Sequence, residues 1–360
     1  YRKQILKYRR VKGHSLFVGK RNEIIEGRKV EAQKKTSHLT KWLDSERIKI
    51  DSELAVKHIN TKYGNDKKLI EKRNHRIIAI DSIKNRDWCY SRQGKDNRLH
   101  TFLTSLPKDI RQFVSFDGDT LASLDLKNSQ PFIFSAILHH IKNIQDEESW
   151  GMERGINRMI SATSMPIMFD RFDRCSDGRD LTEFITEVCN GTFYEKYGAI
   201  LYKEDILTRN NSGHYFYVEF HSELNKTKYL EYESLREASK HIVMKTLFCS
   251  KKYQHITIEV FRRYYPEVFK LMQLMKSDDK SYFPILLQNI EADFVLDYCT
   301  EKISERYPCI PLFTIHDSLV TTNSFVSLVE LELKSHLHDY FGLMPQLHKE
   351  QWSSSFYKVA

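Results

Sequence analysis

The six cysteines, Cys89, Cys175, Cys189, Cys249, Cys299 and Cys309, never approach CxxC or any other metal-ligand spacing. Neither a zinc site nor a disulfide framework is indicated, and the thiols read as reduced and mostly buried. Proline and glycine are sparse, at 8 and 13 of 360 residues, and no internal repeat or low-complexity run is visible. No stretch approaches the roughly 20 consecutive apolar residues of a membrane span. The opening Tyr-Arg-Lys-Gln lacks a methionine and the apolar core of a signal peptide, and it reads as a trimmed or internal start of an intracellular protein. What is present is 41% hydrophobic content, enough to bury a substantial core in one large domain or in two to three lobes.

Charge is distributed unevenly. Residues 1–76 carry 22 Lys/Arg against 9 Asp/Glu, a net of +13, which leaves 34 against 39, a net of −5, for the remainder. A basic lobe beside a mildly acidic body suggests a polyanion held next to carboxylates. The plainer reading is a solvated helical face.

Within residues 1–75 isolated apolar residues recur at helical intervals (Leu43, Ile48, Ile50, Leu54, Val56, Ile59), punctuated by Gly13, Gly27 and Gly64, which predicts helices joined by short loops. The polar stretch 86–100 predicts a loop and a boundary. Beyond Arg98, the segment Leu106-Pro107 to Arg111 leads into strand-like Leu121–Leu124, which ends on Asp125; Lys127 to Pro131 predicts a turn before the apolar helical run Phe132–Leu138. Residues 140–230 are rich in aromatics, among them Phe169, Phe172, Phe184, Phe193, Tyr194, Tyr197 and Tyr217. Such rings can stack on bases, although core packing is their commoner use.

Ser234-Leu-Arg-Glu237 has the capping-box pattern, and Arg236, Lys240, Met244 and Phe248 follow at four-residue steps. A four-residue step drifts only about 40° round a helix, so the four form one slowly winding stripe. Two cations followed by two large apolar groups suit a triphosphate and a base; a surface helix with its apolar residues in the core is the structural alternative. Residues 255–280 look helical up to the charged loop at 276–280, another helix runs from Pro284 to about Ser304, and Asn323-Ser324 predicts the cap of a last helix to about Tyr340. Between these two, Leu312–Ile315 run into His316-Asp317-Ser318 and then back into Leu319 and Val320, predicting a tight hairpin whose turn presents a carboxylate. Asp317 lies 192 residues after Asp125, so only a shared sheet makes them neighbours. On the triplet alone, an ordinary polar turn is the simpler reading.

Taken in order over roughly residues 95–352, these segments resemble the core shared by family A DNA polymerases and single-subunit phage-type RNA polymerases. Asp125 matches the first catalytic aspartate, Arg236-x3-Lys240-x3-Met244-x3-Phe248 the fingers helix, Gln288-x3-Ala292-Asp293 the Gln-Gly-Thr-Ala-Ala-Asp helix of the DNA enzymes, and His316-Asp317 the last catalytic motif. The resemblance implies an α+β right-hand polymerase fold, with an antiparallel-sheet palm, helical fingers and a basic helical thumb-like lobe. The expected division is 1–95 (thumb-like lobe), 96–139 (palm), 140–280 (fingers, including helix 234–250) and 281–360 (palm and tail).

The resemblance further implies that Asp125 and Asp317 hold two Mg2+ ions, for which Mn2+ can substitute. Lys240 is expected to act as the third catalytic group. Arg236, Lys240, Met244, Phe248 and Gln130 would contact the nucleoside triphosphate, and Arg98, Arg111, Gln288 and His316 the primer-template. No membrane partner is expected, while an accessory protein or a domain preceding Tyr1 fits the basic start. The chain departs from the DNA enzymes in three places. Gln130 stands five residues after Asp125 where they carry a glutamate that blocks a ribose 2′-hydroxyl, Ser318 follows Asp317 where they carry glutamate, and Phe248 replaces a tyrosine. The length leaves no room beside these motifs for an exonuclease domain of about 150–200 residues. The expectation is a minimal primer-extending DNA polymerase without proofreading. A compact or primase-like RNA polymerase and an inactive polymerase-like binding protein are the alternatives.

Overall fold

The computed structural model describes residues 14–64, 69–143, 178–221, 226–276 and 281–353. Gly13, Phe169, Phe172 and residues 277–280, singled out above, lie outside them. In chain order the elements are α1 (His14–Lys35), α2 (Ser37–Leu43), β1 (Ile48–Ile50), α3 (Ser52–Tyr63), α4 (Ile70–Lys84), α5 (Phe102–Ser105), α6 (Lys108–Arg111), β2 (Val114–Phe116), β3 (Asp119–Leu126) and α7 (Ser129–Asn143). There follow α8 (Arg179–Cys189), α9 (Phe193–Lys203), β4 (Leu207–Arg209), β5 (Tyr215–His221), β6 (Lys226–Tyr232), α10 (Leu235–Phe248), α11 (Ile256–Tyr264), α12 (Pro266–Met275) and α13 (Tyr282–Ala292). A π-helical segment (Asp293–Cys299) joins α13 to α14 (Thr300–Arg306), after which come β7 (Phe313–Ile315), β8 (Ser318–Thr322), α15 (Val326–Phe341) and β9 (Leu347–Gln351). The architecture is mixed helix and antiparallel sheet. Among the described residues, no helix is long and apolar enough to cross a membrane.

Two compact units interleave along the chain: residues 1–125, 295–332 and 349–360 form the first, and residues 126–294 and 333–348 the second. The first is built on a sheet of order β1-β2-β3-β8-β7, with β9 also pairing β3. Leu121, Ala122, Ser123 and Leu124 are all buried, so β3 lacks the polar alternation of a strand with one wet face. The core continues through Trp42, whose ring meets Phe116 edge-on at 5.8 Å, and Phe116 meets Phe313 at 5.7 Å. Buried Arg92 forks onto Asp297 with two 2.5 Å bonds, the bidentate pairing a buried guanidinium needs. Trp352 is the tail's anchor. Its backbone amide donates to Leu121 O (2.8 Å) and its indole to Ser123 Oγ (3.3 Å).

The second unit has an aromatic core in which Phe184, Phe193, Tyr197, Phe261 and Tyr265 contact one another, mostly edge to face. Phe184, Phe193 and Tyr197, left open between stacking and packing by sequence, are buried. The antiparallel sheet β4-β5-β6 lies in the stretch that sequence read only as aromatic-rich.

Several boundaries differ from expectation, each for a local reason. Gly27 sits inside α1 instead of punctuating it, whereas Gly64, at φ +50°, does end α3. Ile48 and Ile50, assigned above to helix periodicity, belong to β1, which pairs with β2. The turn after Asp125 is shorter than predicted: α7 begins at Ser129 and takes Pro131 into its first turn, where a missing amide is tolerated. Asn128 makes the reversal at φ +59°, a left-handed conformation that asparagine adopts more readily than most residues. The helix expected from Pro284 to Ser304 runs from Tyr282 to Arg306, with the π-helical segment within it.

Candidate functional site

In the first unit, the ladder between β3 and β8 places Asp125 opposite Ser318, and that between β7 and β8 places Ile315 opposite Ser318. His316 and Asp317 are therefore the two-residue connection of a hairpin, with His316 in the left-handed region at φ +53°. Cross-strand Cα partners lie about 5 Å apart and successive Cα atoms about 3.8 Å, so the Cα atoms of Asp125 and Asp317 are within about 9 Å of each other. Both aspartates are half-buried, while the neighbours that fix them, Leu124 and Leu319, are fully buried. Asp125 thus stands on the β3–β8 ladder and Asp317 in the turn beside it, both with access to solvent. Ser318 Oγ donates to Asp125 Oδ1 at 2.7 Å.

Arginine and histidine side chains lie near this pair. The imidazoles of His100 and His316 meet edge-on at 6.4 Å. Partial burial, then the neighbouring Arg98 and His100, hold the His316 imidazole below its ordinary range, with Asp96 opposing. Arg111 lies with its guanidinium 5.3 Å from the centre of the Trp352 ring. Burial lowers its pKa, while Glu350 and Asp125 act to raise it. Three of the four residues expected to contact nucleic acid, Arg98, Arg111 and His316, therefore cluster in the unit that carries both aspartates. Gln288 is on α13 in the other unit and is half-buried.

The second unit carries the predicted stripe. Ser234 caps α10, its Oγ accepting from Glu237 N at 3.2 Å, while the Glu237 carboxylate accepts from Glu233 N at 3.1 Å, one residue earlier than a capping box requires. Ala238, Ser239, Ile242, Val243, Thr246 and Leu247 form the buried side of the helix. Arg236, Met244 and Phe248 are half-buried and Lys240 is exposed, so the stripe belongs to the side that keeps access to solvent. Arg236 is engaged: its Nη1 contacts Glu195 Oε1 at 2.7 Å and Gly191 O at 3.4 Å, its Nη2 contacts Asn128 Oδ1 at 3.3 Å, and its guanidinium lies 5.4 Å from the Tyr194 ring. Tyr194 also points its hydroxyl at Met244 Sδ, 4.0 Å away. Gln130 is buried, and its Nε2 donates to Glu291 Oε2 at 2.6 Å.

Sequence reasoning gave no role to Glu195, Asn128 or Glu291, and read Tyr194 only as one ring of an aromatic-rich stretch. Asn128 alone carried a signal, as a left-handed-tolerant residue just after a strand end.

No protein-family model and no curated protein matches the sequence. Among solved structures the chain is similar to the POL domain of Pol1 from M. smegmatis in complex with DNA primer-template and dNTP, at 12% identity and a TM-score of 0.34. The alignment covers 84% of this chain and 56% of that one. Likeness at this level decides neither fold nor activity, so function has to be read from the residues themselves.

Carboxylates are hard oxygen donors of the kind that bind divalent cations. Among the described residues, no group of three or more His, Cys, Asp or Glu side chains could hold a metal. Mg2+ takes only one or two carboxylates and fills its remaining positions with water and substrate phosphates. Asp125 and Asp317 meet that requirement.

Proposed function

We propose that this chain is a template-directed nucleotidyltransferase, a primer-extending DNA polymerase on a right-hand palm, fingers and thumb framework. The observation that carries the reading is the β3–β8 register, which sets Asp125 beside the turn bearing Asp317 across 192 residues of sequence. A pair of carboxylates held on backbone ladders and open to solvent is the arrangement a phosphate-borne cation requires. Asp125 and Asp317 are the residues that hold Mg2+, which when bound supplies charge neutralisation at the phosphates and activation of the primer 3′-hydroxyl.

The remaining roles belong to the protein's own groups. Lys240, exposed on α10, neutralises charge developing on the pyrophosphate leaving group and donates a proton to it. Arg236 holds the outer phosphates, exchanging its exposed Glu195 partner for them. Met244 and Phe248 continue the stripe toward the base, and Gln130 lies behind the nucleotide on its bond to Glu291. Arg98, Arg111, His316 and Gln288 contact the primer-template. The basic lobe grips the duplex backbone, an electrostatic role that makes binding salt-dependent.

Ser318 and Gln130 favour a second reading, a compact RNA polymerase, because the turn after Asp125 offers no carboxylate against a ribose 2′-hydroxyl. Extension of a labelled primer on DNA and RNA templates with Mg2+, offering dNTPs and NTPs separately, tests both. Incorporation of dNTPs is the expected outcome. NTP-only extension would replace the first reading by the second, and no incorporation in any combination would leave a nucleic-acid-binding protein without catalysis.

A further inference from the structure

A cavity of about 510 Å3 lies in the first unit, lined by α4, the connection that follows it and α5. Small-ligand sites occupy about 300–1,000 Å3. Trp88 and Phe102 form its aromatic wall, both half-buried, with ring centres 4.7 Å apart and planes 32° from parallel. Tyr90 also lines the cavity, but its hydroxyl is committed to residues outside the lining, donating to Asp44 Oδ2 at 2.6 Å and accepting from Gln33 Nε2 at 2.9 Å. Ser82, Asp87 and Ser91 belong to the same lining and make no side-chain hydrogen bond among the described residues. Two hydroxyls and a carboxylate therefore face a ligand with donors and acceptors to satisfy.

The charge at the ends of the cavity narrows the kind of ligand. Lys72 precedes His75 on the α4 face that supplies the lining, and Arg86 follows the end of that helix. Both are exposed. The Arg86 guanidinium lies 5.3 Å from the centre of the Trp88 ring, and its bonds to the Ser45 and Asp44 carbonyls, at 3.0 and 2.9 Å, fix it without neutralising its charge. Rings for stacking with a cation to either side suit a nucleobase whose strand continues in phosphates both ways.

We propose that this cavity takes one unpaired base of a nucleic-acid strand, stacked against Phe102 with Trp88 backing the ring, while Lys72 and Arg86 hold the adjoining phosphates. The role rests on the polymerase reading and deepens it, because it specifies the part of a primer-template that is bound here: the unpaired overhang. A base inside a duplex is paired and stacked and has to be extruded before it can enter such a site, so the cavity selects single strand over duplex. His100 lines the cavity and also meets His316 edge-on at 6.4 Å. Nucleotides next to the seated base are thereby brought beside the turn that bears Asp317.

Cys89, exposed on the lining, reports occupancy, and Cys309, exposed in the same unit, is the reference. Alkylation of each thiol in the full chain is timed by mass spectrometry, without nucleic acid and with a single strand of about a dozen thymidines, an abasic strand of equal length or a blunt duplex. The thymidine strand should slow Cys89 relative to Cys309 by at least about fivefold, and the abasic strand and duplex by less than about twofold. Equal slowing of the two thiols, or equal slowing of Cys89 by the abasic and thymidine strands, would mean a strand held by its phosphates alone and would overturn the proposal. So would slowing by thymidine monophosphate but not by the strand, which would make the cavity a site for a free nucleotide. In fluorescence anisotropy, F102A should bind the thymidine strand about tenfold more weakly than wild type, and F102Y, which keeps a ring, should restore binding. Equal affinity in F102A and wild type overturns the stacking role. Primer extension separates the two levels of inference. Selective protection of Cys89 in a chain that extends no primer removes the polymerase reading and leaves the base site. Extension by a chain whose Cys89 reacts alike with and without the strand removes the base site and leaves the polymerase.

Discussion

The two halves of the candidate machinery are held in different ways. The aspartates of the first unit sit on or beside backbone ladders, with Leu124 and Leu319 buried next to them and a serine bonded to one carboxylate. The two cations of the predicted stripe in the second unit, Arg236 and Lys240, are displayed on a capped helix, and Arg236 is tied to a glutamate whose side chain is 52% exposed. Groups that must remain fixed are built into the sheet. On the proposed reading, the groups that exchange water or glutamate for phosphate are carried on long side chains over a buried helix face.

This contrast can be broken most forcefully at the hairpin. D317N should lower primer extension by at least about a thousandfold, the scale expected when charge aimed at a reacting phosphate is removed, while fluorescence anisotropy finds primer-template affinity within about twofold of wild type. A fully active variant would take Asp317 out of the site. On the helix the effects should be graded. R236A should reduce kcat/KM for nucleotide by about a hundredfold, and E195Q should act in the opposite sense, improving KM for nucleotide by up to about fivefold, because an exposed ion pair contributes little and is readily exchanged. A raised KM in E195Q would mean that Glu195 orients Arg236 for its task instead of competing with phosphate.

The smallest expected effect sharpens the electrostatic side of the comparison. Partial burial, with Arg98 and His100 nearby, depresses the His316 pKa, so between that value and the ordinary imidazole value the unfolded chain binds more protons than the folded one. The stabilising contribution is complete above the ordinary value and is lost as pH falls through the folded one. Urea denaturation should therefore show H316Q losing less stability than wild type between pH 7.5 and 5.5. The difference is modest because the imidazole keeps contact with water. His38, also depressed chiefly by burial, should contribute equally to both proteins.

Sequence reading reached those elements whose signals are local. The hairpin strands showed as apolar runs about a polar triplet, of which Ser318 proves to belong to β8, α10 showed as a cap followed by a four-residue stripe, and Asp125 showed as the last residue before a turn. The second sheet was missed, although Tyr215–Phe220 and Lys226–Tyr232 have strand composition, because an aromatic-rich run serves a helix core equally well. Neither the Ser318–Asp125 bond nor the Gln130–Glu291 bond could be read at all, since partners 193 and 161 residues apart depend on register, which no local pattern encodes. The same holds for Glu195, one acidic residue among many until α9 brings it to Arg236.

The pairing of β3 with β8 also bears on how the protein is made. Strand β3 leaves the ribosome long before its partner, and so distant a contact must wait for a large loop to close. Until residue 322 has been synthesised, the nascent chain has no acid pair and presents an unmatched strand edge. Exposed edges of that kind recruit other strands. A message truncated before the codon for Ser318 would therefore yield an aggregation-prone polypeptide lacking the strand that pairs β3.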